Sequence, residues 1–271
     1  MNKIAFTAIL LLTTFSSGFG EISESIRLFI DDKSDGPAYK VDNESLLCGK
    51  ELHLFYVNRF YDPAWFTRNS FSNNGFDLIN YIRQVDQQGL QPADYHLYLI
   101  EEYLGKLLSQ TTVDTADIMK LDLLLTDAFM LLGSHLYYGK VDPAKEGANW
   151  RMQRKDPGLR MDLRLEKALA ENEVEMELNM LAPGYKAYWM MKEELAFFLK
   201  LDEQLWPAIL LDKPVKPGDT SQIIPKVRER MIKLRYVLSD SISAIVDEEL
   251  EKQLKAFQYD RGLNTDAVIG R

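Results

Sequence analysis

The amino-acid sequence predicts an all-α protein with a large helical domain followed by a small helical module. Apolar residues recur at helical spacing over residues 115–138, which indicates a central core helix. A second amphipathic helix is predicted for residues 76–88, with Gly89 as its C-terminal stop. Near the end of the chain, Asp247 is a suitable N-cap for a last helix that stops before Gly262. These three segments together favour helices packed on helices.

The first 20 residues are predicted to be a secretory signal peptide. Lys3 precedes an apolar run over residues 4–14, and small residues over 16–20 suit cleavage. The run is too short for a stable membrane span, so we expect an exported protein of the periplasm or cell envelope. An uncleaved N-terminal anchor is the alternative. Residues 21–47 are polar and are predicted to be irregular.

The remaining chain is predicted to form a helical domain over residues 48–207 and a module over residues 208–271. Further helices, each with apolar residues at helical spacing, are predicted for residues 54–61, 161–181 and 186–200. A proline-rich stretch that ends at Pro217 marks the predicted boundary between the two parts.

Charge and composition exclude several classes of function. The formal net charge is −9, and loss of Lys3 with the signal peptide would make it −10, so we expect no nucleic acid or anionic lipid as partner. Cys48 is the only cysteine, so no intrachain disulfide is possible. The sequence contains three histidines, His53, His96 and His135, which lie far apart from one another. We therefore expect no zinc site and no cofactor.

The last 22 residues of the sequence contain a pattern of apolar and glycine residues that matches a known protein module. The matching residues are Leu250, Leu254, Phe257, Gln258, Gly262, Leu263, Asp266, Val268, Ile269 and Gly270. They resemble the last helices of the peptidoglycan-binding module of cell-wall enzymes, a three-helix unit. Upstream, the turn at residues 216–219 and the helix-like segment 227–231 fit the same module. The sequence differs from the pattern of this module at two positions, where Gln253 replaces a small Ala and Ala267 replaces the usual Gly.

This resemblance implies peptidoglycan as a partner, through its glycan or its stem peptides. It also implies a module that is incomplete at Arg271. We therefore expect the apolar face of Leu250, Leu254 and Phe257 to be exposed and the C-terminus to be loose. An Ala at position 267 is costly if the backbone φ there must be positive, so a distorted turn is expected.

A second resemblance covers the large domain. Its motifs occur in order at residues 55–66, 89–96, 122–129 and 134–143, followed by Trp150. They resemble the N-terminal scaffold region of YcbB-type murein L,D-transpeptidases, and the similarity extends over about residues 52–271. In that family a helical scaffold, a peptidoglycan-binding module and a catalytic domain follow one another. The resemblance therefore implies a scaffold that accompanies a catalytic domain.

The reaction of that family requires a cysteine thiolate beside a histidine base, in a signature similar to H-x(many)-[ST]-H-G-C. None of the three histidines precedes a Gly-Cys pair. The neighbours of Cys48 offer no base or cation that would activate its thiol, so a structural or incidental cysteine is expected. No catalytic residue is assigned, and we expect this chain to be inactive on its own.

Four residues of the module are candidates for holding sugar hydroxyls or stem-peptide carboxylates. They are Arg228, Arg230, Gln258 and Tyr259. An alternative stays open for the Arg and Gln residues, which would then be helix-surface groups tied to local Glu or to backbone.

Five residues of the large domain are predicted to be structural. Arg59 and Trp65 are expected in ion pairing and packing. Asp122 and Asp127 interrupt an otherwise apolar helix, so we expect them to pair with backbone or with Arg. The alternative is a pair of carboxylates for acid–base chemistry. His135 on the same helix is predicted to be a core or capping residue.

The sequence therefore predicts the non-catalytic scaffold and peptidoglycan-binding portion of an L,D-transpeptidase-like protein involved in peptidoglycan crosslinking. A catalytic domain beyond Arg271 in the same polypeptide is a possible partner of this portion. The alternative is a free-standing periplasmic wall-binding or adaptor protein without transpeptidase activity. A periplasmic interaction scaffold with no affinity for the wall is a third hypothesis.

Overall fold

The computed structural model describes residues 18–31, 39–68, 70–109, 114–141, 158–202, 207–236, 238–239 and 242–270, and it confirms the all-α fold class. Ten α-helices and one two-stranded sheet lie within these residues. The chain divides into two compact units, residues 1–196 and residues 197–271. The predicted signal peptide lies outside the described residues up to residue 17.

The first unit holds most of the helices. They are α1 (Phe19–Asp31), α2 (Gly49–Asn58), α3 (Asn73–Ile82), α4 (Leu97–Ser109), α5 (Thr115–Tyr138), α6 (Met161–Glu171), α7 (Val174–Leu181) and most of α8 (Lys186–Asp202). Short 3₁₀ helices lie at Val85–Gln88 and Pro92–Tyr95. The predicted helix over residues 76–88 thus divides into α3 and a 3₁₀ turn. Gly89 ends that turn with φ of +73°, a conformation that glycine adopts without steric cost.

Helix α5 is the centre of the first unit, as its spacing predicts. It is buried on nearly all sides from Leu121 to Gly133 and packs against α1, α4, α6 and α7. Its N-terminus is capped by Asp114, whose carboxylate accepts a hydrogen bond of 3.0 Å from the Ala116 N–H. A helix surrounded in this way is stabilised by packing rather than by its own propensity.

Helix α1 corrects the prediction that residues 21–47 are irregular. Ile22, Ile26 and Ile30 are fully buried against the core of the first unit, and α1 packs on α5. The three isoleucines stand four residues apart, so they form one buried stripe along the helix. That stripe supplies the apolar burial that a mostly polar segment needs to remain helical.

A small hairpin continues from α1 and also belongs to the core. Strands β1 (Lys40–Val41) and β2 (Glu44–Ser45) pair antiparallel, with Val41 opposite Glu44. Just before β1, the buried Tyr39 donates a hydrogen bond of 3.1 Å to the Ile30 carbonyl. The hairpin turn places Asp42 where its carboxylate binds Tyr103 and accepts a 2.7 Å hydrogen bond from Lys120. The hairpin is therefore attached to both α4 and α5.

Gly133 lets α5 approach its neighbours closely. A methyl group at this position would lie 2.2 Å from Met161 Cε and 3.0 Å from Leu181 Cδ1. Met161 begins α6 and Leu181 ends α7, so one glycine accommodates both helices. Its lower helix propensity is offset by this contact.

The second unit contains the end of α8 and two further helices, α9 (Ile224–Lys233) and α10 (Glu248–Asp260). Thr220 and Ile245 form one antiparallel bridge and Val215 and Ile269 form another. A separate apolar core lies between the helices and the bridged segments. Its buried members are Val215, Ile224, Val227, Met231, Val246, Leu250, Leu254 and Ala267.

One expectation about the module changes with this structure. The described part of residues 208–271 holds two helices, which agrees with a three-helix module that is incomplete at its end. Leu250 and Leu254 are buried rather than exposed, because the segment around Ala267 and Ile269 covers them together with α9. Phe257 is partly buried against the same core. The prediction of an exposed apolar face is therefore wrong.

The boundary between the units differs from the predicted one at residues 207/208. It falls between Ala196 and Phe197, inside α8. The ring of Phe197 lies 3.5 Å from the Arg235 guanidinium and the ring of Phe198 lies 5.2 Å from that of Arg261. These cation–π contacts tie the end of α8 to the second unit.

Candidate functional site

Arg228 is a structural residue of the second unit, which corrects its assignment as a ligand contact. Its side chain is fully buried. The guanidinium donates to the carbonyl oxygens of Ser243 at 3.2 Å and Ile245 at 2.9 Å, and it forms an ion pair with Asp247. A guanidinium with these internal partners cannot reach a ligand at the surface.

Gln258 is likewise buried and holds the turn that follows α10. Its Oε1 accepts a hydrogen bond of 2.7 Å from the Ala267 N–H. Its Nε2 donates to Asp266 Oδ1 and to the Val268 carbonyl, each at 3.2 Å. All three partners lie in the 266–268 turn. The side-chain amide thus supplies hydrogen bonds that the backbone of this turn would otherwise lack. The prediction that Gln258 contacts a ligand is corrected in the same way.

The expected strain at position 267 is present. Ala267 has φ of +57°, in the left-handed region, and its side chain is fully buried. An L-residue other than glycine pays about 1–2 kcal/mol in this region. The buried methyl group and the hydrogen bonds of Gln258 offset that cost, so the turn forms without a glycine.

Arg230 and Tyr259 are the two candidates that remain at the surface of the second unit. Arg230 is half-buried on α9 and its guanidinium donates to the Pro207 carbonyl oxygen. Tyr259 on α10 is 77% exposed. An exposed phenol offers an apolar face and a hydroxyl, the combination that suits sugars and peptides.

In the first unit, Asp122 binds the loop that follows α2. Its carboxylate accepts hydrogen bonds from the N–H groups of Ala64 and Trp65 at 2.9 Å and from the Tyr56 hydroxyl at 2.6 Å. Burial raises the pKa of Asp122 although these donors oppose the shift. The partners are backbone and a phenol rather than Arg. An acid saturated by internal donors holds a loop in place.

Two further side chains, those of Trp65 and Arg59, also hold the loop that follows α2. The indole N–H of the fully buried Trp65 donates to Thr126 Oγ1 at 3.0 Å. Arg59 forms a 2.8 Å ion pair with Glu166 on α6 and donates to the Asp62 carbonyl at 2.7 Å. Both side chains therefore lie in packing and ion-pair contacts.

His96, whose two ring nitrogens both contact carboxylates, was not singled out from the sequence. Its Nε2 lies 2.9 Å from Asp127 Oδ2 and its Nδ1 binds Glu44 Oε2. Burial lowers the pKa of His96, but the hydrogen bonds and charges of Asp127 and Glu44 outweigh it and leave the pKa raised. The imidazole therefore connects β2 to α5 through its two ring nitrogens. A polar Asp127 on a buried helix was the signal in the sequence.

Cys48 is held beside this group and is chemically inert. Its N–H donates to Asp127 Oδ1 at 2.7 Å. Burial, followed by the nearby charges of Asp127 and Glu51, raises the pKa of the Cys48 thiol. A neutral and buried thiol is a poor nucleophile. Asp127 thus binds Cys48 and His96 while Asp122 binds the loop after α2, so the two carboxylates do not face one another as an acid–base pair.

His135 lies near the end of α5 and faces Tyr95. The Tyr95 hydroxyl is 3.0 Å from His135 Nδ1 and the two rings meet edge to face. Burial lowers the pKa of His135. The side chain is thus a neutral, partly buried imidazole in a packing contact.

Within the described residues, no three His, Cys, Asp or Glu side chains converge on a position that would hold a metal ion. Among the same residues, no helix combines the length and the apolar character needed to cross a membrane.

Comparisons with known proteins bear on the first unit. A family model described as "Scaffold domain" matches residues 50–195, more than half of the chain. That span begins in α2 and ends in α8, and it includes Asp122, Asp127 and His96. A search among curated proteins found no match for the chain.

Proposed function

Because the chain belongs to the Scaffold domain family of L,D-transpeptidases, we propose that it is the non-catalytic, wall-binding portion of an L,D-transpeptidase-like protein. The first unit would act as the rigid scaffold and the second unit would hold peptidoglycan. The family match carries this proposal. The predicted signal peptide and the module-like pattern over residues 208–270 agree with it.

The first unit has the properties that a scaffold requires. Residues far apart in the sequence are joined by buried polar contacts, such as Asp122 with the 64–65 backbone and Asp127 with His96. Such fully satisfied networks rigidify a core and specify one arrangement. The inert Cys48 leaves the transfer reaction to a catalytic domain, either in the same polypeptide or in a partner.

The second unit differs from the first in charge, which favours contact with the wall. Residues 197–271 contain twelve Lys and Arg and twelve Asp and Glu, so the formal charge of −9 belongs entirely to the first unit. A neutral module is not repelled by anionic wall polymers, whereas the acidic first unit is. We therefore assign peptidoglycan binding to the second unit.

Within that unit, Tyr259 and Arg230 are the residues proposed to contact the ligand. Tyr259 would stack on a sugar or a peptide plane, and Arg230 would bind a carboxylate. Arg228 and Gln258 would act indirectly, by maintaining the turn and helix that present these side chains.

The experiment is a sedimentation assay of the purified protein with isolated sacculi. We expect the wild-type protein to sediment and Tyr259→Ala to bind about tenfold more weakly, as for loss of one well-packed aromatic contact. Tyr185→Ala is the matched control, because Tyr185 is 74% exposed in the first unit. It should bind as the wild type does.

Two results would overturn the proposal. One is wild-type protein that stays in the supernatant at every sacculus concentration. The other is equal loss of binding in Tyr259→Ala and Tyr185→Ala, which would indicate non-specific adsorption. Circular dichroism of both variants verifies that each is folded.

A further inference from the structure

An open groove lies on the first unit between α3 and α7. Its volume is about 550 Å³. Carboxylates line it at Asp77, Glu173 and Glu175, and the side chains of Met176 and Met180 provide an apolar surface. Both methionines are about half exposed. The groove therefore combines negative charge with a flexible apolar lining.

Within the described residues, no ion pair neutralises the carboxylates of this groove. Among the described residues, Asp77, Glu173 and Glu175 take part in no ion pair within 4 Å, and no Lys or Arg lines the groove. The neighbouring Glu177 is buried and paired, at 2.6 Å with Arg164 and 3.4 Å with Lys167. Lys192 on α8 is close enough for Glu175 to affect its pKa, but it does not reach the carboxylate. Glu177 of α7 is thus paired internally, whereas Asp77 on α3, Glu173 just before α7 and Glu175 on α7 remain at the opening.

A second observation lies directly behind the groove. Asn74 is buried, and its Nδ2 donates to the Leu169 carbonyl at 3.2 Å and to Asn172 Oδ1 at 3.3 Å. Asn172 itself lines the groove. Within the described part of the chain, Asn74 Oδ1 is the buried side-chain oxygen without a hydrogen-bond donor. Asn74 itself does not line the groove, so the charge of a ligand is set by the three carboxylates at the opening, which fit a ligand that supplies positive charge.

We propose that this groove docks a segment of a partner protein in which Lys or Arg side chains alternate with apolar residues. The cationic groups would pair with Glu173, Glu175 and Asp77. The aliphatic residues, together with the stems of the basic side chains, would pack on Met176 and Met180, whose flexible thioethers adapt to varied shapes. Charge complementarity selects a basic partner over a neutral or acidic one. The inference does not depend on wall binding by the second unit.

The test uses the full chain and fluorescent peptides of eight residues that alternate Lys with Leu, with a Glu–Leu peptide of the same pattern as comparison. We expect the Lys–Leu peptide to bind and the Glu–Leu peptide not to bind. Glu175→Lys removes an attraction and adds a repulsion, so it should weaken binding about fivefold or more. Raising the salt concentration should weaken binding as well, since exposed charges are screened.

Glu193→Lys is the matched control, because it makes the same change in net charge on the exposed surface of α8. It should bind the peptide as the wild type does. Met176→Ser tests the apolar part separately and should weaken binding at high salt too. The proposal fails if no peptide binds, if the Glu–Leu peptide binds equally, or if Glu193→Lys and Glu175→Lys have equal effects. In each of these cases the sacculus assay is unaffected, so the two proposals are tested independently.

Discussion

Asp127 Oδ2 lies 2.9 Å from His96 Nε2, and Glu44 binds the other nitrogen of the same imidazole. Both ring nitrogens can donate only when the imidazole is protonated. The two acids come from α5 and from β2, which are 83 positions apart in the chain. A single charged side chain therefore fastens the N-terminal hairpin to the central helix.

This arrangement predicts how stability depends on pH. The pKa of His96 is raised above 6.5 in the folded state, so the folded protein binds this proton more tightly than the unfolded chain. The resulting stabilisation is fully present below about pH 6.5 and is lost as the pH rises through the folded-state pKa.

Urea unfolding of the wild type and of His96→Gln should show this directly. The free energy of unfolding should differ most between the two proteins near about pH 6, and the difference should shrink towards about pH 9. A difference that stays constant over this range would show that His96 acts without changing its charge.

Arg228→Ala is expected to destabilise the second unit by about 3 kcal/mol, because it leaves two carbonyl groups and Asp247 without their donor. Lys226→Ala, at an exposed position two residues earlier, should change stability by less than about 0.5 kcal/mol. Thermal unfolding of both variants checks the prediction. An Arg228→Ala protein as stable as the Lys226→Ala protein would contradict the assignment of Arg228 as a structural residue.

Gly133→Ala should lower the free energy of unfolding by about 1–2 kcal/mol, even though Ala favours a helix by about 1 kcal/mol. The cause is the contact of the added methyl group with Met161. In a Met161→Ala background only the 3.0 Å approach to Leu181 Cδ1 remains, so the same substitution should cost clearly less. A double-mutant cycle by chemical denaturation measures this coupling. Equal effects of Gly133→Ala in both backgrounds would disprove it.

At position 267, Gly and Val should have opposite consequences. Ala267→Gly relieves the positive φ but loses a buried methyl group and adds flexibility to the unfolded chain, so we expect a change of less than about 1 kcal/mol. Ala267→Val places a β-branched residue in the left-handed region of a full core and should cost more than about 2 kcal/mol. Melting temperatures distinguish the two. Similar values for both variants would mean that the turn relaxes.

The helices that could be predicted from the sequence are those with a strong local signal. Helix α5 has apolar residues on nearly every side, and α10 has an acidic cap and a clear stop. Helix α1 was missed although Ile22, Ile26 and Ile30 carry the right spacing, because polar residues outnumber them and its partner α5 lies about 100 positions away. Tertiary packing decides such a segment.

The candidate site shows the same limit. Arg228 and Gln258 were plausible ligand contacts by residue type. The residue type alone does not show whether a side chain is buried or exposed. Their burial depends on Asp247, Ser243 and the 266–268 turn, which only the folded module brings together. The pairing of His96 with Glu44 is non-local for the same reason.

The bridge between Val215 and Ile269 has a mechanical consequence. Two hydrogen bonds, of 3.0 and 2.9 Å, join these residues in antiparallel orientation, so the two ends of the 215–269 segment lie side by side. A tension applied across those ends would load these two bonds first, together with the packing of Val215 in the apolar core. Each hydrogen bond contributes about 1 kcal/mol, so most of the resistance would come from withdrawing the Val215 side chain from the core.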